Sequence, residues 1–368
     1  NNCPIYGIFN GELAYNAANK KEEILMKRTM KKMVSMALTG TMAVAVLAGA
    51  GTSEVKAADK AKIGVLVADV SGEEAQGFRS YYENYIAGNY DVEFNYTDAL
   101  QSAEDEKTAI EKFASQGCQA IISFSSNDRV QQIETCEKYG VYYAVASGVL
   151  DDAQYETYKT YEYFAGQVGP GNDTEFEAGK DMGAYYKEQG VSKVAIYGAF
   201  IPNPMHVYRV AGVLNGLGCT YGGESDMNAI AGQIFQDQTV DLSKVEGDVE
   251  VVSYLQGYGD TTTDELNAAI QKTPDAFISV GMATTFFAQS LSEAGISFSD
   301  IDSFTETNGN SMKNGTLTYL AGKYSSSIGP VFALVMNAIN GNVIRDEDGN
   351  APSISQGYLV ATDSDTFD

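Results

Sequence analysis

From residue 60 onward, short apolar runs alternate with segments in which apolar side chains recur every three or four positions. After Lys62, the run 62–68 contains no polar side chain, which is typical of a strand buried on both faces of a parallel sheet. We predict a helix over 73–87 and helices after Ser102 and Asp128, whose side chains can cap a helix N-terminus. Further strands are predicted at 92–96, 120–124 and 141–145.

The same alternation continues through the second half of the chain. Helices are predicted at 174–188, 206–217, 263–272, 284–293 and 328–340. Strands are predicted at 194–197, 249–255, 276–280, 301–305, 316–320 and 354–361. Two such blocks indicate an α/β fold of two doubly wound, Rossmann-like lobes. Ligands of these sheets bind beyond the carboxyl ends of the strands, so two facing lobes form a central ligand cleft.

Residues 26–57 have the three parts of a secretory signal peptide. Basic residues between Lys27 and Lys32 precede the apolar stretch 33–50, and Val55-Lys56-Ala57 supplies small residues for cleavage. A transmembrane anchor is the alternative, since the apolar stretch has a borderline length for one. The signal peptide is favoured because the stretch is rich in Ala and Gly and is followed at once by the cleavage pattern.

Residues 1–25 precede a segment that normally stands at the extreme N-terminus. Lys20-Lys21-Glu22-Glu23 can be encoded by a purine-rich ribosome-binding sequence just before Met26. We interpret 1–25 as translated upstream sequence, with a genuine N-terminal extension as the alternative. Leu47-Ala48-Gly49 resembles the start of a lipobox, but Ala50 stands where lipidation needs Cys. We therefore expect a secreted, extracytoplasmic protein that is released rather than lipid-anchored.

The charge balance narrows the possible partners. The 368 residues include 24 Lys and Arg against 49 Asp and Glu, a net charge of −25. Residues 1–57 hold seven of the basic and four of the acidic residues, so 58–368 have a net charge of −28. Such acidity excludes nucleic acid and anionic membrane surfaces, which need clustered cations. A hydrophobic fraction of 44% supports a sizeable core in two domains of ordinary size.

The sequence contains no recognisable catalytic constellation. The single histidine, His206, excludes a His-rich metal site, and Cys118, Cys136 and Cys219 are too few for a disulfide scaffold. The Gly-rich segments 166–171 and 257–259 match neither a dinucleotide-binding nor a phosphate-binding motif. We therefore predict that the protein is not an enzyme and has no metal or cofactor. A secreted α/β enzyme with paired carboxylates is the least favoured alternative.

Several segments, in their order and spacing, resemble the type I periplasmic-binding-protein family, close to the ribose- and galactose-type substrate-binding proteins of ABC transporters. They are the signal peptide, Lys62–Ala68, Ala120–Ser123 followed by Glu137–Val141, Phe164–Gly169 leading to Glu177–Lys180, Arg209–Val213, and Ile328-Gly329. The resemblance covers most of 60–368.

The resemblance implies two lobes joined by a hinge of three crossovers. Lobe one would comprise 60–165 plus 324–358, and lobe two 166–322 plus 359–368. The family closes around a small ligand and then docks to a membrane permease. For this chain the resemblance implies a small-molecule ligand, an ABC permease as partner, and a monomer.

The chain departs from the sugar-binding pattern of that family at several positions. An Asp-Arg pair after strand four is replaced by Ser147-Gly148, and a second Arg by Val207. An Asn-Asp pair is replaced by Gly281-Met282, and a Gln near the second crossover by Lys323. The side chains that would clamp sugar hydroxyls are therefore different here.

Positions at strand ends give the candidate ligand-binding residues, a mixture of hydroxyls, amides, charges and aromatics that suits a small-molecule cleft. They are Asp69, Ser71, Ser125, Ser126, Asn127, Ser147, Asn172, Phe200, Asn203, His206, Met282, Glu306, Asn308, Lys323 and Tyr324. The alternative role for each Ser or Asn is to cap a turn or a helix. The alternative for Lys323 is a loop lysine exposed to solvent. Phe200 is favoured because Pro202 and Pro204 flank it. The tyrosines of the linker 151–163 suit ligand stacking or half-buried packing.

We predict an extracytoplasmic solute-binding protein that captures a small polar ligand, sugar- or nucleoside-like, for an ABC importer. A ligand-sensing partner of a receptor kinase or chemoreceptor shares the same fold and is the alternative. Neighbouring genes for a permease and an ATPase, or for a histidine kinase, would discriminate the two.

Overall fold

Two six-stranded sheets divide the part of the chain that the structure describes. The computed structural model describes residues 60–201, 203–257 and 263–367, so the predictions for 1–25 and 26–57 lie outside it. The strands are β1 Ala61–Val67, β2 Val92–Ala99, β3 Ala120–Ser123, β4 Tyr142–Ala146, β5 Phe164–Gly169, β6 Lys193–Tyr197, β7 Thr220–Tyr221, β8 Val245–Glu246, β9 Glu250–Leu255, β10 Ala276–Ser279, β11 Ser297–Ser303, β12 Leu317–Lys323, β13 Ser353–Ser355 and β14 Leu359–Ala361.

The first sheet has the order β13-β5-β4-β3-β1-β2 and is parallel throughout. The second has the order β14-β12-β11-β10-β6-β9 and is parallel except for β14, which runs antiparallel to β12. Strands β7 and β8 form a separate two-stranded ribbon. We call the part built on the first sheet lobe one and the part built on the second lobe two. The predicted α/β class with two lobes is confirmed.

Helices connect the strands. They are α1 Glu73–Ser80, which continues as a π-helical segment Tyr81–Ile86 and ends at Ala87–Asn89, α2 Ala103–Ser115, α3 Arg129–Tyr139, α4 Asp152–Tyr158, α5 Asn172–Glu188, α6 Pro204–Gly216, α7 Met227–Asp237, α8 Thr263–Gln271, α9 Ala283–Phe286, α10 Ala288–Ala294, α11 Glu306–Lys313, α12 Gly329–Ile339 and α13 Ser364–Phe367, with 3₁₀ turns at Leu242–Lys244 and Ser325–Ile328. Among the described residues, no helix combines the length and hydrophobicity of a membrane span.

Several elements differ from the sequence-based predictions. The segment 151–163 contains α4, and the predicted strand 354–361 is two strands that belong to different sheets. The predicted helix 284–293 is split into α9 and α10, and β5 and α7 were not predicted. Strand β5 runs across the predicted lobe boundary between 165 and 166 and pairs within the first sheet. The chain therefore passes between the lobes after Gly169, after Lys323 and after Ser355.

The cores form on both faces of the sheets because the central strands are apolar on both sides. Every residue of β3 and of β10 is buried, as expected for the middle of a parallel sheet covered by helices. The predicted helix caps are confirmed: Ser102 Oγ accepts from Asp105 N at 3.2 Å, and Asp128 Oδ1 accepts from Gln131 N at 2.9 Å. These caps fix where α2 and α3 begin.

Helices α5 and α6 pack backbone to backbone through glycines. A Cβ atom at Gly179 would lie 2.0 Å from Arg209 O, and one at Gly212 would lie 2.0 Å from Phe176 O. Gly183 and Gly216, one turn further along their helices, make equally close approaches. Only glycine permits this spacing, which fixes the middle of α5 against the second half of α6.

Candidate functional site

A cavity of about 1440 Å³ lies at the carboxyl ends of β1, β3, β4 and β5. Lobe two closes it with the first residues of α5 and α6. This is the position where doubly wound sheets bind ligands. Seven of the predicted site residues line it: Asp69, Ser126, Asn127, Ser147, Asn172, Phe200 and Asn203.

A buried carboxylate, Glu106, supports the lobe-one wall of this cavity from behind. It projects from α2, is fully buried, and accepts hydrogen bonds from Asn127 N at 2.9 Å, Asp128 N at 3.0 Å and the Asn127 amide at 3.1 Å. Ser125 Oγ also donates to it at 2.5 Å. Glu106 thus holds the loop between β3 and α3 and leaves Ser126 and Asn127 exposed to the cavity. The sequence analysis missed it because a Glu in the first turn of a helix is usually solvated.

Lobe two repeats this arrangement with a different carboxylate. Asp300 of β11 is fully buried and accepts from Ser279 Oγ at 2.9 Å and from Thr284 N at 3.1 Å. Ser279 and Ser123, the last residues of β10 and β3, each bond a residue two positions ahead. The same device therefore shapes the loop beyond the central strand of each sheet.

Arg129, the first residue of α3, also lines the cavity. Its Nη1 donates to Val149 O at 2.6 Å, and its Nε is buried without a hydrogen-bond partner. Burial lowers the pKa of Arg129, and no carboxylate forms an ion pair with it among the described residues. Arg129 is thus a cation on the cavity wall with most of its donors unused.

A buried network connects lobe two to the third crossover. Arg209 Nε donates to Glu175 at 2.6 Å, and its Nη2 donates to Tyr358 Oη at 2.6 Å. Tyr358 Oη lies 3.0 Å from both oxygens of Glu175. Burial alone would lower the pKa of Arg209, but Glu175 and Tyr358 raise it overall. Glu175 lines the cavity, so this network joins the cavity wall to the hinge.

Aromatic side chains form the apolar part of the cavity. Phe78 stacks on Phe124 with ring centroids 5.4 Å apart, and both line the cavity from lobe one. Phe200 reaches the cavity from lobe two with 47% of its surface exposed. Tyr155, from the predicted tyrosine-rich linker, lines it as well. Flat apolar faces in both lobes suit the face of a ring-shaped ligand.

The two lobes touch through the first turn of α1. Glu73 accepts hydrogen bonds from the backbone N–H and the hydroxyl of Thr307, and Glu74 accepts from the Ser303 hydroxyl. Thr307 and Ser303 belong to lobe two, where β11 ends and α11 begins. These contacts hold one rim of the cleft closed.

Carboxylates crowd together at this contact. Burial raises the pKa of Asp302, and the neighbouring Asp300 and Glu74 raise it further. Burial also raises the pKa of Asp300, against hydrogen bonds that lower it. The Asn308 amide and the backbone of Ser303 lower the pKa of Asp302 only in part. Asp302 is therefore a carboxyl group that favours its proton in the folded protein.

We expect the protein to lose stability as pH rises through the neutral range, because of Asp302. An unfolded carboxyl ionises near pH 4, while the folded one keeps its proton to higher pH, so the unfolded state is favoured progressively between these values. The Asp302→Asn variant removes this titration and will be the more stable of the two at pH 8, by on the order of 2 kcal/mol. Urea unfolding midpoints of both proteins at pH 5 and pH 8 measure this. Parallel pH profiles of wild type and variant would contradict it.

Eight predicted site residues do not line the cavity: Ser71, Ser125, His206, Met282, Glu306, Asn308, Lys323 and Tyr324. Ser71 Oγ bonds Asp69 at 3.0 Å, within its own turn. Ser125 and Asn308 are buried, where Ser125 bonds Glu106 and the Asn308 amide donates to Ser303 O at 2.7 Å. These three side chains shape loops and helix starts.

The other five lie around lobe two and the hinge. His206 is buried with Nδ1 3.1 Å from Phe200 N, and burial together with Arg209 lowers its pKa to about 4, so it is neutral at pH 7. Met282 precedes α9 with a left-handed backbone, and Glu306 is exposed in the first turn of α11.

Lys323 and Tyr324 line a second, smaller cavity of about 330 Å³ at the hinge. Lys323 Nζ donates to Ser147 Oγ at 3.1 Å, and burial lowers the pKa of Lys323. Tyr324 stacks on Phe304 with ring centroids 4.6 Å apart. Lys323 thus reaches the main cavity through Ser147.

Comparison with known proteins gives structural matches only. No protein-family profile and no curated protein sequence matches the chain. The arabinose-binding component of an ABC transporter from Shewanella sp. ANA-3, solved with arabinofuranose, matches with a TM-score of 0.60 at 16% identity, over 83% of this chain and 93% of that one.

Two further solved structures agree. An ABC transporter periplasmic solute-binding protein from Actinobacillus succinogenes with bound D-allose has a TM-score of 0.64 at 16% identity, over 84% of this chain and 99% of that one. A solute-binding protein from Bacillus halodurans with bound myo-inositol has a TM-score of 0.59 at 17% identity, over 84% of this chain and 97% of that one. The chain therefore has the fold of the type I periplasmic binding proteins.

Proposed function

We propose that this chain is an extracytoplasmic solute-binding protein that captures a small polar ligand, sugar- or nucleoside-like, and delivers it to an ABC importer. The observation that carries the proposal is the cavity of about 1440 Å³, which takes its walls from both lobes at the carboxyl ends of the strands. Because three crossovers join the lobes there, closing the hinge encloses whatever the cavity holds.

The lining supports a ligand that is both polar and ring-shaped. Ser126, Asn127, Asn172 and Asn203 supply hydroxyls and amides, which donate to and accept from hydroxyl groups. The aromatic rings supply apolar faces on either side. Sugars and nucleosides combine these two properties, as do the ligands bound in the matched structures.

Binding and closure are coupled in this proposal. The contacts of Glu73 and Glu74 with lobe two form only when the lobes approach each other. A ligand that touches both lobes adds its own contacts to that state and shifts the population towards it. The closed form would then present a surface of both lobes to the permease, with a monomer as the binding unit.

The cavity supports binding rather than catalysis. Asp128 and Asp151 accept from helix N-termini, and Glu175 is paired with Arg209. These carboxylates are held as caps or ion-pair partners, and His206 is neutral and buried outside the lining. These four groups, which could otherwise act as general acids or bases, are thus committed to the structure.

We expect a neutral sugar, polyol or nucleoside to stabilise the purified protein saturably. At a concentration 100 times the dissociation constant, binding adds about 2.7 kcal/mol, which raises the melting temperature of a protein of this size by roughly 3–5 °C. Thermal-shift screening against pentoses, hexoses, inositol, nucleosides and amino acids, followed by calorimetry of each hit, measures this. A screen without a hit would contradict binding, and chemical conversion of a hit would contradict a non-enzymatic role.

A further inference from the structure

The guanidinium of Arg129 takes the space that a side chain at position 148 would occupy. An added Cβ at Gly148 would lie 2.6 Å from Arg129 Nη2 and 3.4 Å from its Cζ. Position 148 follows β4, whereas Arg129 comes from the start of α3, the neighbouring element of the same lobe. Because Gly148 has no side chain, the guanidinium of Arg129 can lie next to it.

We propose that Arg129 is the anchoring residue of the ligand site, and that it binds an acceptor oxygen of a neutral polyhydroxylated ligand. This inference rests on the proposed function, since it names the ligand class of the same cavity.

The state of Arg129 supports a ligand contact. The Arg129 side chain is half-buried, and a guanidinium that is partly removed from water without a carboxylate partner lowers the stability of a protein, so such a group is normally paired. Arg209, the buried arginine next to the cavity wall, is paired with Glu175 and bonds Tyr358, whereas Arg129 makes one hydrogen bond, to a backbone carbonyl. A ligand oxygen supplies the acceptor that the described part of the chain does not.

The remaining charges of the lining favour a neutral ligand over an anion. Seven carboxylates line the cavity: Asp69, Glu74, Asp128, Asp151, Asp152, Asp173 and Glu175. The only cationic side chains of the lining, among described residues, are Arg79 and Arg129. Arg209 balances the charge of Glu175. The other six carboxylates still outnumber the two cations, so they repel a ligand carboxylate or phosphate that Arg129 attracts. Ligand hydroxyl groups can bond both kinds of charged group, since they accept hydrogen bonds from Arg129 and donate hydrogen bonds to the carboxylates.

The test compares affinity with stability for two arginines. Arg129→Met removes the anchoring group, and Arg345→Met removes an arginine that bonds Phe164 O at 2.6 Å and Tyr161 O at 2.8 Å, away from the cavity. The probes are myo-inositol, neutral pentoses, hexoses and nucleosides, with D-galacturonate and D-glucuronate as charged counterparts. Calorimetry gives the dissociation constant of each, and urea unfolding of the unliganded proteins gives their midpoints.

We expect Arg129→Met to weaken the tightest-binding neutral probe by about 30–100-fold without lowering the unfolding midpoint. Arg345→Met will lower the midpoint and leave that affinity within about threefold, since it only holds backbone carbonyls. A purely structural Arg129 would instead behave as Arg345 does. Gly148→Ala provides a second variant, because its methyl displaces the flexible guanidinium; we expect weaker binding and an unchanged midpoint.

The outcomes separate the two proposals. If no probe binds wild type, the proposed function fails and this inference fails with it. If a probe binds wild type and Arg129→Met equally well, the proposed function stands and Arg129 is not the anchor. If a uronate binds wild type at least tenfold more tightly than its neutral sugar, the neutral ligand class is wrong.

Discussion

Gly212→Val will lower the stability of lobe two by at least about 3 kcal/mol, because it forces α5 and α6 apart. The Cβ of any residue at 212 would lie 2.0 Å from Phe176 O and 2.8 Å from Lys180 N, both of which are backbone atoms of α5. A side chain there cannot rotate away, since the clash begins at its first atom. Valine also loses side-chain freedom inside a helix, a smaller cost that adds to the clash.

Separating the two helices would disturb the site as well as the core. Helix α5 carries Asn172 and Glu175 in its first turn, and α6 carries Arg209, so their spacing sets the geometry of the cavity wall in lobe two. We therefore expect loss of ligand binding together with loss of stability.

Urea unfolding followed by circular dichroism measures the effect, with Gly232→Ala as the matched control. Gly232 lies within α7, and a Cβ there meets nothing within 4 Å. Alanine at that position will raise stability by about 0.5–1 kcal/mol, because glycine is a poor helix former. Close glycine packing would be refuted by an unfolding midpoint of Gly212→Val that equals that of wild type.

Glu175→Ala is expected to destabilise the protein by about 3–5 kcal/mol, because it leaves Arg209 buried without its carboxylate. The side chains of Glu175 and Arg209 are 4% and 7% exposed, so the charge of Arg209 stays largely removed from water when its partner is lost. Tyr358 also loses its two contacts with Glu175, which loosens the third crossover where the hinge is built.

The exposed ion pair between Glu177 and Lys180 provides a control variant that also removes one negative charge from α5. Glu177 lies 2.9 Å from Lys180, but their side chains are 55% and 40% exposed. We expect Glu177→Ala to change stability by less than about 1 kcal/mol.

A double variant tests whether the charge itself is responsible. If the buried charge of Arg209 causes the loss, Glu175→Gln with Arg209→Met will be more stable than Glu175→Gln alone, as measured by urea unfolding. Additive effects of the two substitutions would show that Glu175 acts independently of Arg209.

The alternation of apolar runs and capped helices was enough to predict the α/β class. The apolar runs become the central strands because a parallel sheet covered by helices buries both faces of a strand. Ser102 and Asp128 cap as predicted, because a cap depends on residues three positions apart and on nothing distant. Strand β11 was placed four residues too late because its Ser299 and Asp300 look like loop residues. Asp300 is nevertheless buried, because Ser279 at the end of β10 and the backbone of Thr284 donate hydrogen bonds to it.

The site was predictable only where it follows directly from strand ends. Ser126, Asn127 and Ser147 were found because they stand immediately after strands. Arg129 was missed because it follows the capping residue, where a solvated side chain is expected. It lies over Gly148 because that residue has no side chain and because Val149 O accepts a hydrogen bond from Arg129 Nη1. Glu106 was missed because its partners are about twenty residues away in sequence. Such contacts depend on how the elements pack, which periodicity does not encode.

Closure of the two lobes on a ligand would change the distance between them, and that distance can be measured directly. In the protein without residues 1–57, and hence without Cys3, spin labels are attached at Asp98→Cys of lobe one and Ser225→Cys of lobe two. Both positions are exposed, whereas the native Cys118, Cys136 and Cys219 are buried. Pulsed electron–electron double resonance then measures the distance between the two labels. It is applied to the protein alone and to the protein saturated by the probe that gives the largest thermal shift. We predict that the distance distribution shortens and narrows on binding. An identical distribution with and without saturating probe would contradict capture by lobe closure.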